Sequence, residues 1–346
     1  MTTAGEAKAA ARAWATSLAG DMPGYCAAFI AGSIVDLPET AILPSWSDTD
    51  VMVVRDGVEP ARAGKFLFDG VLLDGTFLSR SSLSDTDEVL GQYHLAHALA
   101  TGEVIGDPKG WLQDVQDGVR QGFTRRRWVE ARCANARDRV ISGFEALDGT
   151  SSLAEQAQAW VFPTGVIAHI LLVAGLRNPT VRRRYESGRD LLAEHGQLDL
   201  HEQLLELLGS HRLTESRVRR HLDAVTRMFD AAAPKRTDSY RFSSDVSETS
   251  RPISIDGTRD MIDRGFHREA VFWLVVTGSR ALRKLALGAG AEAAKAFEPE
   301  FAGLLSDLGV DTFDDFLRRR ERSLNQLPEV WRVAQLIMNA SPEFEP

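Results

Sequence analysis

The chain has 346 residues, 44% hydrophobic and 26% charged, the balance of an ordinary globular protein with room for two domains. Its net charge of −9 sits at the front: residues 1–110 carry 15 Asp and Glu against 7 Lys and Arg, whereas 111–346 carry 34 against 33. An acidic front repels a phosphate backbone unless metal intervenes and attracts cationic small molecules or Mg2+, so nucleic acid is disfavoured as a general partner. Two cysteines, Cys26 and Cys133, show neither paired nor metal-ligand spacing, which excludes a disulfide framework and suits a reducing compartment. The longest apolar run, Gly165 to Leu176, is about half of what a bilayer needs and contains His169. A cytoplasmic protein without a membrane partner is expected.

In chain order, residues 4–19 predict a helix closed by Gly20, and Pro23-Gly24 a turn. Tyr25 to Ala31 is a short apolar run broken by Gly32, the pattern of a buried strand. A loop follows over 34–47, then a strand at Val51 to Val54. Lys65 to Phe68 and Val71 to Leu78 flank Asp69-Gly70, a hairpin signal because Asp-Gly tolerates the positive φ of a two-residue turn. Beyond residue 84 the apolar period changes to about 3.6. Helices are predicted at 85–101, 111–147, 151–176, 179–195, 199–208, 214–231, 259–288, 291–307, 312–322 and 328–339. The polar, Ser- and Pro-rich stretch 233–258 is too long for a plain connector and reads as a flap or a disordered insert.

The tetrapeptide Ser-Asp-Thr-Asp occurs twice, and context separates the copies. Ser84 to Asp87 precedes a helical pattern, with Ser84 as N-cap and Asp87 completing a capping box. Ser47 to Asp50 instead leads into a strand, where Asp48 and Asp50, two apart, share one face. Paired carboxylates repel unless a cation lies between them, and Mg2+ favours one or two carboxylates plus substrate phosphates. Asp74 interrupts the apolar strand 71–78, a costly place for an unpartnered charge, and joins the same acidic cluster if the two strands pair. Upstream, Gly32 allows close backbone approach, and the Ser33 hydroxyl beside it can hold phosphate.

This order of an apolar strand, Gly32-Ser33, a loop, Trp46-Ser47-Asp48-Thr49-Asp50 running into Val51 to Val54, and Asp74 in a following strand resembles the DNA polymerase β-type nucleotidyltransferases. Within them it is similar to the antibiotic enzymes of the kanamycin and streptomycin type. Gly102 to Gly110, with its Asp107-Pro108, resembles a stretch that follows in that family, although here Gly32-Ser33 lies farther from the first Asp. The resemblance covers residues 1–110. It implies an α+β fold: a nucleotidyltransferase domain with a small mixed sheet over 1–110, then an all-α helical bundle over 111–346, the active site in the cleft between them.

The implied chemistry is attack of a hydroxyl on the α-phosphate of an NTP, ATP first among them, with pyrophosphate leaving. Asp48, Asp50 and Asp74 would be the catalytic and metal-binding residues, with Asp74 either a ligand or the general base. They would serve two Mg2+ ions roughly 3.5–4 Å apart. Gly32, Ser33 and Ser47 would bind the nucleotide. The implied acceptor is a small hydroxylated, cationic molecule of the aminoglycoside kind, which would make the enzyme one of antibiotic resistance. A protein or RNA acceptor, or a non-catalytic nucleotide-binding regulator, is the alternative, and a homodimer is an admissible assembly. Elsewhere, the arginine clusters at 125–127, 182–184, 217–220 and 318–320 read as solvated helix faces, and His94, His97 and His169 as core or surface histidines.

Overall fold

The computed structural model describes residues 2–57, 59–237 and 239–341. The chain divides into two compact units, one running to Arg132 and the other from Cys133 to Ser341. The architecture is α+β: a five-stranded mixed sheet with its helices in the first unit, and helices without strands among the described residues of the second.

Helix α1 (Ala4–Asp21) opens on a capping box in which Thr3 and Glu6 satisfy each other's backbone N–H groups. It is followed by β1 (Tyr25–Ala31), β2 (Thr49–Arg55), β3 (Ala61–Phe68) and β4 (Val71–Ser79). Asp69 and Gly70 between β3 and β4 both take positive φ, 48° and 76°, the two-residue turn their sequence predicts. Then come α2 (Thr86–Gly91), α3 (Tyr93–Thr101), β5 (Glu103–Gly106) and α4 (Trp111–Gly122). The strand order is β3-β4-β2-β1-β5, with β2 and β4 parallel and the other pairs antiparallel.

Both faces of the sheet are covered. Ile30, Val51, Val53 and Leu73 pack against Ala7, Ala11 and Trp14 of α1. Ala27, Phe29, Ala31 and Val54 meet Leu90, Leu99 and Leu112 from α2, α3 and α4. A strand buried on two sides needs apolar residues at every position, which is why β1 reads as an unbroken run. The loop after β1 is fastened to the start of α1: Ala4 N–H donates to Ala41 O at 2.8 Å, Gly5 N–H to Glu39 O at 2.9 Å, and Lys8 Nζ to Val35 O at 2.9 Å.

The second Ser-Asp-Thr-Asp does begin a helix, but Asp85, not Ser84, is its cap. The Asp85 carboxylate accepts from the N–H groups of Asp87 and Glu88, while the Ser84 hydroxyl donates to Ser81 O. The single helix expected over 85–101 breaks at Gln92, whose extended backbone separates α2 from α3.

Helix α5 (Arg126–Gly143) contains the division between the units, and the second unit continues with α6 (Leu153–Ala174), α7 (Arg184–Glu194), α8 (Leu198–Leu208) and α9 (Glu215–Ala232). It ends with α10 (Gly257–Asp263), α11 (His267–Ala289), α12 (Ala291–Lys295), α13 (Glu298–Asp307) and α14 (Phe313–Ala340). α6 and α11 form its centre and pack on each other, flanked by α14 and α9. α6 is long and apolar enough to cross a membrane, and most of it is buried inside the unit. Two helices expected at 312–322 and 328–339 are one, since α14 passes through Pro328 while burying Phe316, Leu327, Val330 and Ile337. Tertiary packing there outweighs the lost backbone bond.

The described part of 233–258, which leaves out Asp238, is folded into the second unit and is not the flap or disordered insert expected. Tyr240, Asp245, Val246, Ser250 and Ile253 are buried. Lys284 of α11, itself 3% exposed, donates to the carbonyls of Ala233, Ser243 and Val246 at 3.2, 3.1 and 2.6 Å. Arg280 pairs with Asp245 at 3.4 Å. An internal ammonium thus binds the segment through backbone carbonyls, a contact that leaves no apolar pattern in the sequence.

Candidate metal and nucleotide site

β2 begins at Thr49, so Asp48 directly precedes the strand and Asp50 is its second residue. The parallel register sets Asp50 opposite Asp74, and the antiparallel register of the hairpin sets Asp74 opposite Lys65. With Ala31 opposite Asp50, a row of Lys65, Asp74, Asp50 and Ala31 crosses four strands. Residues in one row project to one face. Asp48, Asp50 and Asp74 each bring a carboxylate oxygen within 4.8 Å of the others, Asp74 buried and the other two half-buried.

One glycine makes room for this cluster and another for the ring packed behind the sheet. Gly32, directly after β1, has φ of 82°, and a Cβ there would collide with Asp50 Oδ2. Gly75 lies behind Asp74, where a Cβ would come within 2.8 Å of the Trp14 ring and 2.9 Å of Ala63 Cβ. Trp14 also packs on Phe66 at 5.0 Å between ring centroids. An aromatic pair therefore lies on the face of the sheet opposite the acidic cluster.

Two cations that sequence reading missed complete the site. Lys65 Nζ bonds to Asp48 Oδ2 and, at 2.6 Å, to Asp74 Oδ2. Arg62 Nη2 lies 3.0 Å from both oxygens of Asp74. Arg62 and Lys65 are three apart, an odd spacing that ordinarily sends strand side chains to opposite faces. A β-bulge between Arg62 and Gly64, with Gly64 at φ of 77°, absorbs the extra residue and brings both cations to the acidic face.

Burial and the neighbouring Asp48 carboxylate, with a smaller contribution from Asp74, push the Asp50 carboxyl up to about 8 against the opposing pull of Lys65 and Arg62. A carboxyl held so far above its usual range binds a proton or a metal ion in preference to standing bare. Ser33 is exposed and Ser47 half-buried, and neither hydroxyl has a hydrogen-bond partner among the described residues. Gly32 is thus placed against the cluster by its contact with Asp50, Ser33 is its chain neighbour, and Ser47 precedes Asp48 in the turn where its N–H donates to Pro44 O at 3.0 Å.

The other candidates are built into the fold. His97 is held near 4 by burial, stays neutral and packs edge-on to Phe123, and His169 bonds to Thr180 O at 2.9 Å. Arg183 and Arg264 clamp the buried Glu186, and Arg184 lies over Phe272 at 4.2 Å. Arg217 pairs with Asp307, and Arg319 donates to the carbonyls of Glu206, Leu207 and Leu308. Arg217 and Arg319 fasten helices to one another and Arg184 is buried, whereas Arg125, Arg127, Arg183, Arg220 and Arg318 are exposed, as their clustering predicts.

No family model matches the chain, and no curated protein sequence does. Among solved structures it is similar to that of a nucleotidyltransferase-like protein from Exiguobacterium sibiricum 255-15, at 13% identity over 90% of this chain and 91% of that one, with a TM-score of 0.30. A superposition this loose says nothing about the site.

Proposed function

We propose that the protein is a Mg2+-dependent nucleotidyltransferase of the DNA polymerase β type. In this reading a hydroxyl of the acceptor attacks the α-phosphate of an NTP, ATP first, and pyrophosphate leaves. The observation that carries it is the meeting of Asp48, Asp50 and Asp74 from two neighbouring parallel strands, with oxygens within 4.8 Å. The donor set fits a divalent ion: the ligands are hard anionic oxygens, and the Lys65 ammonium already bridges two of them as a cation. A bound divalent ion supplies charge neutralisation for the triphosphate and a lowered pKa for the attacking hydroxyl.

Asp48 and Asp50 would hold the ion. Asp74, oriented by Arg62, would complete the set or accept the proton of the hydroxyl. The backbone after Gly32 and the Ser33 and Ser47 hydroxyls would be the donors to phosphate. The acidity of residues 1–110 supports a cationic acceptor of the aminoglycoside kind. A second reading, a nucleotide-binding regulator without turnover, draws on the same Lys65 and Arg62 contacts, which neutralise Asp48 and Asp74 without metal.

Incubation with Mg2+, α-labelled NTPs and separate panels of aminoglycosides, tRNA and proteins decides between them. Label transfer with pyrophosphate release is expected, reduced by about 100-fold or more in Asp48→Asn and Asp50→Asn. Tight NTP binding without pyrophosphate would establish the regulator. Transfer that persists in Asp48→Asn would reject the catalytic assignment.

A further inference from the structure

Lys65 stands where the ion has to go. Its side chain is 9% exposed, and its ammonium bonds to Asp48 Oδ2 and Asp74 Oδ2, two of the oxygens assigned above to the metal. An ammonium and a divalent cation cannot both occupy the space between those oxygens, because each repels the other and each needs the same lone pairs. Arg62 adds a second positive charge on Asp74, so the metal-free cluster attracts a free divalent ion only weakly.

Lys65 can leave and Arg62 is suited to stay. A lysine carries a point charge on a flexible stem, whereas Arg62 in these bonds shares one guanidinium nitrogen, Nη2, between both oxygens of a single carboxylate. On leaving, the ammonium must find another anion, since a half-buried charge without a partner is costly. The triphosphate that accompanies the ion provides one. Resting on the metal-binding role of the three aspartates, we propose that Lys65 is a tethered counter-ion that closes the site to free metal and moves onto the nucleotide phosphates, so that metal and nucleotide bind as a pair. The coupling is reciprocal: each ligand strengthens the other because both draw Lys65 away from the carboxylates.

The test measures binding on the full chain, without turnover. Mn2+ affinity is read from the electron paramagnetic resonance signal of free Mn2+, and nucleotide affinity from equilibrium dialysis of labelled α,β-methylene-ATP with and without Mg2+. Lys65→Met and Lys65→Gln, the latter keeping a hydrogen-bond donor between the carboxylates, are expected to bind Mn2+ alone about tenfold tighter than the parent, within the ordinary range of site coupling. Both should bind Mg2+ with α,β-methylene-ATP more weakly, and Lys65→Arg should retain the low affinity for Mn2+ alone. Circular dichroism verifies that each variant is folded. If Mn2+ binds the parent and the folded neutral variants equally well, Lys65 is a structural ion pair and the inference fails while the metal site stands. If no protein binds Mn2+ with or without nucleotide, the metal site itself is wrong and the inference falls with it.

Discussion

At Asp50, burial and the Asp48 carboxylate act in the same direction, and the consequence is measurable without knowing the substrate. Its folded pKa, about 8, lies above the ordinary carboxyl value of 3.8, so the stability associated with its proton is present in full below about pH 4 and is lost as pH rises through 8. Metal-free Asp50→Asn should therefore be more stable than the parent at pH 8, by on the order of 1–3 kcal/mol, and should lose that advantage by pH 4. Thermal melts of both proteins at the two pH values check this, and Mg2+ with α,β-methylene-ATP at pH 8 should stabilise the parent more than the variant. At Gly32, alanine would be strained by positive φ and would strike Asp50, so Gly32→Ala should cost roughly 1–2 kcal/mol in a denaturant melt and weaken Mn2+ binding. The aspartates were legible in the sequence because carboxylates in strand patterns stand out. Lys65 was legible too, had the hairpin been counted: the two-residue turn at Asp69-Gly70 pairs Phe68 with Val71, and three steps back it pairs Lys65 with Asp74.

Arg62 could not be counted in the same way, and the reason belongs to the scale of elements. The bulge beside Gly64 changes the phase of β3, and nothing in a single sequence distinguishes a bulge glycine from one that merely weakens a strand. Gly64→Val should force regular pairing, turn Arg62 off the acidic face and lower stability by about 1–2 kcal/mol. Deleting Ala63, which restores regular pairing with Arg62 still opposite Thr76, should be tolerated much better in the same melt. Among the helices, the centres of the long elements were legible from their apolar period, and the ends were not. Gln92 and Gly265 interrupt runs whose pattern is continuous, while Pro328 fails to interrupt α14. Breaks of this kind are decided by what each turn packs against, a property absent from local sequence.

For the molecule as a whole, two compact units imply that unfolding need not be a single step. Calorimetry should resolve a transition that Mg2+ with α,β-methylene-ATP raises, belonging to the sheet, and another that it leaves in place. Lys284→Met strips three carbonyls of their donor inside the second unit, so it should lower the ligand-insensitive transition, by about 2–4 kcal/mol, and leave Mn2+ affinity unchanged. The change from strands to helices along the chain was legible from the apolar period, but the internal lysine that holds 233–258 was not, because its partners are backbone atoms. Every residue of the proposed site lies between Gly32 and Asp74, on strands that are near neighbours in sequence as well as in space. Its contacts join residues up to 26 positions apart, all within the unit that is made first when synthesis proceeds from the N-terminus. During translation the carboxylates and Lys65 can thus find one another while most of the helical unit is still unmade, so the nascent site would carry its own counter-charge before any nucleotide could reach it.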